Sequence, residues 1–111
     1  MRHDRRAEDI AAIHQEVSVS IVVRFNPKDV TRAKYDEVVR RLEEAGEWPN
    51  PPGLEFHVLY GSEGSLRVSE IWDSGESLEA YFQKISPIMN EVGIEMASEP
   101  EIFEVQKVVK R

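Results

Sequence analysis

The stretch from Val68 to Leu78 reads Val-Ser-Glu-Ile-Trp-Asp-Ser-Gly-Glu-Ser-Leu, and it decides how the rest of the chain is interpreted. Its first half is typical of a strand, which stops on Trp72. Asp73 and Ser74 follow at once, and Ser74 is a suitable N-cap for the amphipathic helix after it. The stretch therefore predicts a direct strand-to-helix corner that carries a large amphipathic ring, a position that often lines a pocket.

Three further elements are predicted before this corner. Residues Val17 to Phe25 alternate with period two and are rich in β-branched side chains, which favours a first strand. Residues Thr31 to Ala45 place apolar side chains on one helical face. Leu54–Gly61 and Leu66–Trp72 then form a predicted hairpin over residues 62–65.

The length of the hairpin loop decides which residues face each other. A two-residue turn or a four-residue loop places His57 opposite Glu70, and Glu55 opposite Trp72. A three-residue loop shifts the register by one residue and removes both pairs. The sequence leaves these alternatives open.

One helix and one strand follow the corner. The helix runs from its cap at Ser74 to Gly93, and Pro87 either kinks it or restarts it. The last strand is predicted from Ile102 to Lys110. The order β-α-β-β-α-β predicts an α+β, ferredoxin-like fold: a four-stranded antiparallel sheet with two helices on one face.

The predicted strands are apolar on both faces, although the helices cover only one. Four apolar residues fall between the members of the main apolar row of their strands, and so point to the opposite face: Val22, Leu59, Ile71 and Val108. An exposed apolar sheet face requires a partner. We therefore expect the protein to pair with itself, as a homodimeric α/β barrel that encloses a cavity between its two sheets.

Composition excludes several classes of protein. The 111 residues fit one domain, over residues 17–111, after a charged extension over residues 1–16. That extension is expected to be mobile, or to pack on a partner through Ile10 and Ile13.

The net charge of −7 argues against nucleic-acid and membrane-surface partners. No signal peptide or membrane span is apparent, which predicts a cytoplasmic protein.

The element order and the corner Ile71–Leu78 resemble the dimeric α/β-barrel superfamily. This superfamily includes antibiotic-biosynthesis-type monooxygenases, haem-degrading monooxygenases and small uncharacterised bacterial proteins. The resemblance implies that Trp72 lines the pocket and that Asn26 orients a substrate. The haem-degrading members carry a histidine ligand on the second helix, which the segment Tyr81–Met89 lacks, so we expect no haem and no other cofactor.

His57 and Glu70 are the candidate catalytic pair, because a carboxylate facing an imidazole raises its basicity as a general base requires. An ordinary polar cross-strand pair is the structural alternative. The candidate ligand-binding residues are Trp72, Tyr60, Asn26 and Arg67. Trp48, Glu55 and Arg24 are secondary candidates.

Purely structural interpretations of these residues remain open. The aromatic side chains equally fit a core or a subunit interface, and the arginines equally fit salt bridges. His3, His14 and His57 lack the spacing of metal ligands, and there is no cysteine. No metal site is therefore expected.

Three functions fit these observations. The first is binding of a small apolar or aromatic molecule in the cavity between the sheets. The second is a cofactor-free monooxygenase or isomerase, and the third is an interaction module that binds no ligand. A cavity lined by His57 and Trp72 favours the first two, whereas solid packing favours the third.

Overall fold

The computed structural model describes residues 19–111, which form one antiparallel sheet of four strands in the order β2-β3-β1-β4 with two helices. The elements are β1 (Ile21–Phe25), α1 (Arg32–Glu44), β2 (Leu54–Ser62), β3 (Ser65–Trp72), α2 (Gly75–Val92) and β4 (Glu101–Glu104). This confirms the predicted ferredoxin-like fold. The predicted extension over residues 1–16, and the first two residues of the predicted first strand, lie outside the described residues.

Both helices begin at hydroxyl caps. The Thr31 hydroxyl accepts a hydrogen bond from the backbone N–H of Lys34 at the start of α1, and the Ser74 hydroxyl accepts one from Ser77 at the start of α2. Gly93 ends α2 with a φ of 93°, a conformation that glycine adopts without steric cost. The strand-to-helix corner is therefore built as the sequence predicts.

The structure corrects two predicted boundaries: strand β1 begins at Ile21 rather than at Val17, and β4 ends at Glu104 rather than at Lys110. Of the two alternatives for Pro87, the structure excludes a restart, because helix α2 continues through this residue. Pro87 lies on the exposed side of α2, where water can hydrate the carbonyl group that loses its N–H partner.

The hairpin has a two-residue turn at Glu63 and Gly64, so that His57 pairs with Glu70, which is one of the registers that the sequence left open. The predicted pairing of Glu55 with Trp72 is wrong, because the register shifts between Leu54 and Phe56. The extra residue of this irregularity is Glu55, and Leu54 faces Trp72 instead.

The two faces of the sheet have different surroundings. The helix-covered face carries a core in which Val23, Leu42 and Trp72 are the largest fully buried side chains. The open face carries one apolar side chain from each strand in a single cross-strand row: Phe56, Ile71, Val22 and Phe103. Phe56 and Phe103 are each 53% exposed. An apolar second face is thus present, with Val22 and Ile71 as expected. Leu59 instead faces the helices, and Val108 lies beyond the end of β4.

Within residues 19–111, neither helix is long and apolar enough to cross a membrane. The homodimer and the cytoplasmic location stay predictions.

Candidate functional site

Four side chains form a continuous hydrogen-bonded series on the helix-covered face of the sheet. The Tyr35 hydroxyl lies 2.8 Å from Nε2 of His57, and Nδ1 of His57 lies 2.7 Å from Oε2 of Glu70. The indole Nε1–H of Trp72 donates to Oε1 of Glu70 at 2.9 Å. We call Tyr35, His57, Glu70 and Trp72 the quartet.

Three elements bring the quartet together. Glu70 and Trp72 lie two residues apart on β3, so their side chains point to the same face. His57 on β2 faces Glu70 directly. Tyr35 comes from the first turn of α1, which packs over this part of the sheet. The register of the hairpin and the position of α1 therefore set the geometry jointly.

Glu70 is buried, with only 3% of its surface exposed, and it is the only charged residue in the buried class among the described residues. A buried carboxylate is tolerated only where hydrogen bonds replace its hydration. The Trp72 indole can only donate, so it satisfies one oxygen. With Glu70 ionised, the second oxygen also accepts, which places a proton on Nδ1 of His57 and leaves Nε2 free to accept from Tyr35.

Aromatic rings enclose the imidazole. Trp48 packs edge-on against His57 with the ring centroids 4.8 Å apart, and the ring of Tyr35 lies 6.0 Å from it. Burial raises the pKa of the Tyr35 hydroxyl. The side chain of His57 is 18% exposed. Its hydrogen bonds and its packing therefore restrict both the position and the orientation of the ring.

The quartet borders a cavity between the sheet and the two helices, which we call the helix-side cavity. The space open to the centre of a water molecule is about 80 Å³, several times the roughly 10–15 Å³ that one water requires. His57, Glu70 and Tyr35 lie together at one part of the wall, and Tyr81 also lines the cavity. The remaining wall is almost entirely apolar and includes Phe25, Val38, Leu42, Trp48, Phe82 and Met89.

This location differs from the one expected from the sequence. The residues lining the cavity come from the helix-covered face of the sheet and from α1 and α2, whereas the predicted cavity lay between the open faces of two sheets. Trp72 was expected to line the pocket, but it is fully buried and does not border the helix-side cavity. It contacts Tyr81 and Glu70 instead, and so holds the carboxylate in place.

The other three candidate ligand-binding residues lie together, but elsewhere. Asn26, Tyr60 and Arg67 line a shallow, mainly polar cleft, here called the open-face cleft, which also includes Arg24 and Glu101. Asn26 donates to the Ser98 hydroxyl, and Arg24 pairs with Glu101 at 3.5 Å. The predicted site residues are therefore separated: His57 and Glu70 line the helix-side cavity, whereas these three line the open-face cleft. Trp72 lines neither.

Tyr35 is the quartet residue that the sequence did not single out. It fits the apolar stripe of α1, and its spacing gives no reason to separate it from the core residues around it. Trp48 was named only as a secondary candidate. The one signal that could have singled out Tyr35 is that a buried tyrosine hydroxyl generally needs a hydrogen-bond partner.

Metal binding has no obvious position in the part of the chain that the structure describes. Between residues 19 and 111, no three histidine or acidic side chains are grouped so that they could hold a metal ion. The quartet combines one imidazole with one carboxylate and two aromatic hydrogen-bonding groups, an arrangement suited to moving a proton.

Solved structures resemble this architecture, although no protein-family model and no curated protein matches the chain. A candidate antibiotic biosynthesis monooxygenase from Chloroflexus aurantiacus J-10-fl superposes with a TM-score of 0.55 at 17% identity, over 84% of this chain and 98% of that one. SnoaB, a cofactor-independent oxygenase from Streptomyces nogalater, superposes with a TM-score of 0.51 at 18% identity, over 85% and 98%.

The chain has the antibiotic-biosynthesis-monooxygenase fold. This confirms the resemblance inferred from the Trp72 corner. At these identities the likeness concerns the fold alone, and chemistry has to be argued from the residues present.

Proposed function

We propose that the protein binds a small, mainly apolar or aromatic molecule in the helix-side cavity. The observation that carries this proposal is the combination of an apolar wall with a single buried polar group of residues. Ligand sites commonly have this composition, since apolar contacts supply affinity and a few polar groups fix orientation. Glu70 and His57 orient the ligand, and Trp48 covers the imidazole.

We further propose that the protein is a homodimer joined through the open face of the sheet. The cross-strand row of Phe56, Ile71, Val22 and Phe103 supports this pairing, because burying exposed apolar surface is the main driving force of association. The helix-side cavity lies on the other face, so pairing of the sheets leaves it open to ligand. The open-face cleft, with Tyr60 and Arg67, would lie near the partner.

A second candidate function is a cofactor-free enzyme that removes a proton from its ligand. The quartet favours it, because Nε2 of His57 can accept a proton while Glu70 stabilises the resulting imidazolium. An isomerase would return the proton to another carbon atom. In a monooxygenase the carbanion would add to molecular oxygen, the oxidant, to give a peroxide that takes back the proton from His57. One oxygen atom would then stay on the carbon as a carbonyl and the other would leave as water, in keeping with the oxygenase activity for which SnoaB is named.

Binding is tested by titrating ¹⁵N-labelled protein with toluene or naphthalene. The chain has two tryptophans, and the indole N–H signal of Trp48 should shift because Trp48 lines the cavity. Val68→Phe fills the cavity from β3 and should abolish the shift. Val109→Phe adds the same volume at a position that is 78% exposed and should leave the shift unchanged. Equal shifts in both variants would contradict binding in this cavity.

Proton removal is tested separately with 2-tetralone in D₂O, by following exchange of its acidic C–H groups. His57→Gln should slow exchange by about 10²-fold or more, the usual contribution of a general base. Arg67→Gln should not change it, because Arg67 lines the open-face cleft. Exchange no faster than in buffer would remove the enzyme candidate and leave the binding proposal standing.

A further inference from the structure

The hydrogen-bond directions in the quartet give the helix-side cavity a definite polarity. Trp72 donates to Glu70 at one oxygen, and Nδ1 of His57 lies 2.7 Å from the other. With Glu70 ionised and His57 neutral, Nδ1 donates to the carboxylate, and the free lone pair of His57 is then at Nε2, where it accepts from Tyr35. A ligand hydroxyl or N–H can donate to the Tyr35 oxygen or take its place at Nε2. The part of the wall formed by the quartet therefore presents acceptors to a ligand.

The charge of the wall points in the same direction. Among residues 19–111, those that line the cavity include one carboxylate, Glu70, and no lysine or arginine. The guanidinium of Arg32 lies over Tyr35, 5.9 Å from the ring centroid. Arg32 lies at the surface and is paired with Asp36 at 2.9 Å, so it does not offset the charge of Glu70 inside the cavity.

From these two observations we infer that the helix-side cavity selects uncharged hydrogen-bond donors and rejects carboxylates. A carboxylate can only accept, so it meets acceptors at the quartet, and no lysine or arginine among the lining residues replaces its hydration. It also meets the charge of Glu70 in a site of low dielectric, where like charges repel strongly. This inference rests on the proposed binding function and deepens it by naming the class of ligand.

Benzyl alcohol and benzoate test the selection, because they have the same ring and differ in the polar group. Both are titrated into the protein at about pH 8, where benzoate is ionised, and the Trp48 indole signal reports occupancy. We expect benzoate to bind at least about 10-fold more weakly than benzyl alcohol. In Glu70→Gln the ratio of the benzoate Kd to the benzyl alcohol Kd should fall by about 10-fold, since the amide is uncharged.

Glu79→Gln is the matched control, because it removes the same charge from an exposed position on α2. It should leave the ratio unchanged. The Trp72 indole signal reports whether Glu70→Gln retains the packing of the native core. If this variant does not fold, the comparison of benzoate with benzyl alcohol on the unaltered protein still tests the selection.

The outcomes separate the two proposals. Equal binding of benzoate and benzyl alcohol to the unaltered protein would overturn the selection while supporting the cavity as a binding site. A preference that Glu70→Gln leaves unchanged in a folded protein would also overturn it. Failure of both compounds to bind would overturn the proposed function, and the selection with it.

Discussion

At the scale of single residues, Glu70 is the position on which the site depends. One of its oxygens accepts from Trp72, two residues further along the same strand. The other contacts His57 on the neighbouring strand. Removing one partner of a buried hydrogen bond costs the full desolvation of the group left behind. Glu70 therefore contributes to stability and to the orientation of His57 at the same time.

Glu70→Ala should lower the free energy of unfolding by about 1–3 kcal/mol for each of the two donors left without an acceptor. Urea denaturation measures this change. Glu70→Gln should cost less, because its amide oxygen can still accept from Trp72. Glu79→Ala, at an exposed position on α2, should change stability by less than about 0.5 kcal/mol. A similar loss in both alanine variants would contradict this role of Glu70.

The raised pKa of the Tyr81 hydroxyl predicts that the protein loses stability at alkaline pH. Burial raises this pKa above the ordinary value of 10.0, so the folded protein keeps the proton that the unfolded chain loses. Its contribution is complete below about pH 10 and declines as the pH rises above that value, by up to about 1.4 kcal/mol per pH unit. Burial raises the pKa of Tyr35 in the same direction.

The measurement is urea denaturation across this alkaline range, with tyrosinate absorbance as a second signal. Tyr81→Phe should flatten the decline, since no proton is then lost at that position. A decline of the same slope in Tyr81→Phe would show that other groups cause it.

At the scale of elements, the segment between α1 and β2 sets where the sheet meets α2. Gly53 has a φ of 92°, and its carbonyl accepts from the N–H of Asp73 at 2.8 Å. A β-carbon at Gly53 would lie 2.8 Å from Oδ1 of Asp73 and closer still to the Ser77 hydroxyl. The start of β2 and the strand-to-helix corner therefore pack too closely for any side chain.

Gly53→Ala should destabilise the fold by more than Gly64→Ala. Gly64 also has a positive φ, of 86°, but no atom lies within 4 Å of the position that an alanine methyl group would take there. Gly64→Ala thus carries only the backbone cost, about 1 kcal/mol, whereas Gly53→Ala adds steric overlap. Thermal or urea unfolding compares the two, and equal losses would contradict the close approach at Gly53.

At the scale of the whole molecule, the fold separates two surfaces on opposite sides of one sheet. The apolar row on the open face serves the proposed dimer, and the quartet on the covered face serves the proposed ligand. Because side chains alternate along each strand, neighbouring residues serve different surfaces. Glu70 and Ile71 are adjacent in sequence, yet Glu70 borders the helix-side cavity and Ile71 lies in the apolar row.

Ile71→Asp should dissociate the proposed homodimer, because it places a charge in the centre of the apolar row. Sedimentation should then report a mass near the 12.8 kDa of one chain, against twice that mass for the unaltered protein. Ala80→Asp adds the same charge on the exposed side of α2 and should leave the mass unchanged. A monomeric unaltered protein at micromolar concentration would contradict the dimer.

The sequence by itself determined the order of the elements and most of their boundaries. Alternation with period two, the hydroxyl caps and the glycine stops are local signals, and each depends on a few neighbouring residues. They predicted the corner at Trp72, and they allowed the pairing of His57 with Glu70 as one of the possible registers.

Only the tertiary structure decided which face of the sheet carries the quartet. The two-residue turn fixed the register, the irregularity at Glu55 changed the partner of Trp72, and the packing of α1 brought Tyr35 to His57. The contacts of His57 with Glu70 and with Tyr35 join residues 13 and 22 positions apart, so no local pattern encodes them. Trp72 thus remained the marker of the fold, but its indole supports the buried carboxylate rather than lining the cavity.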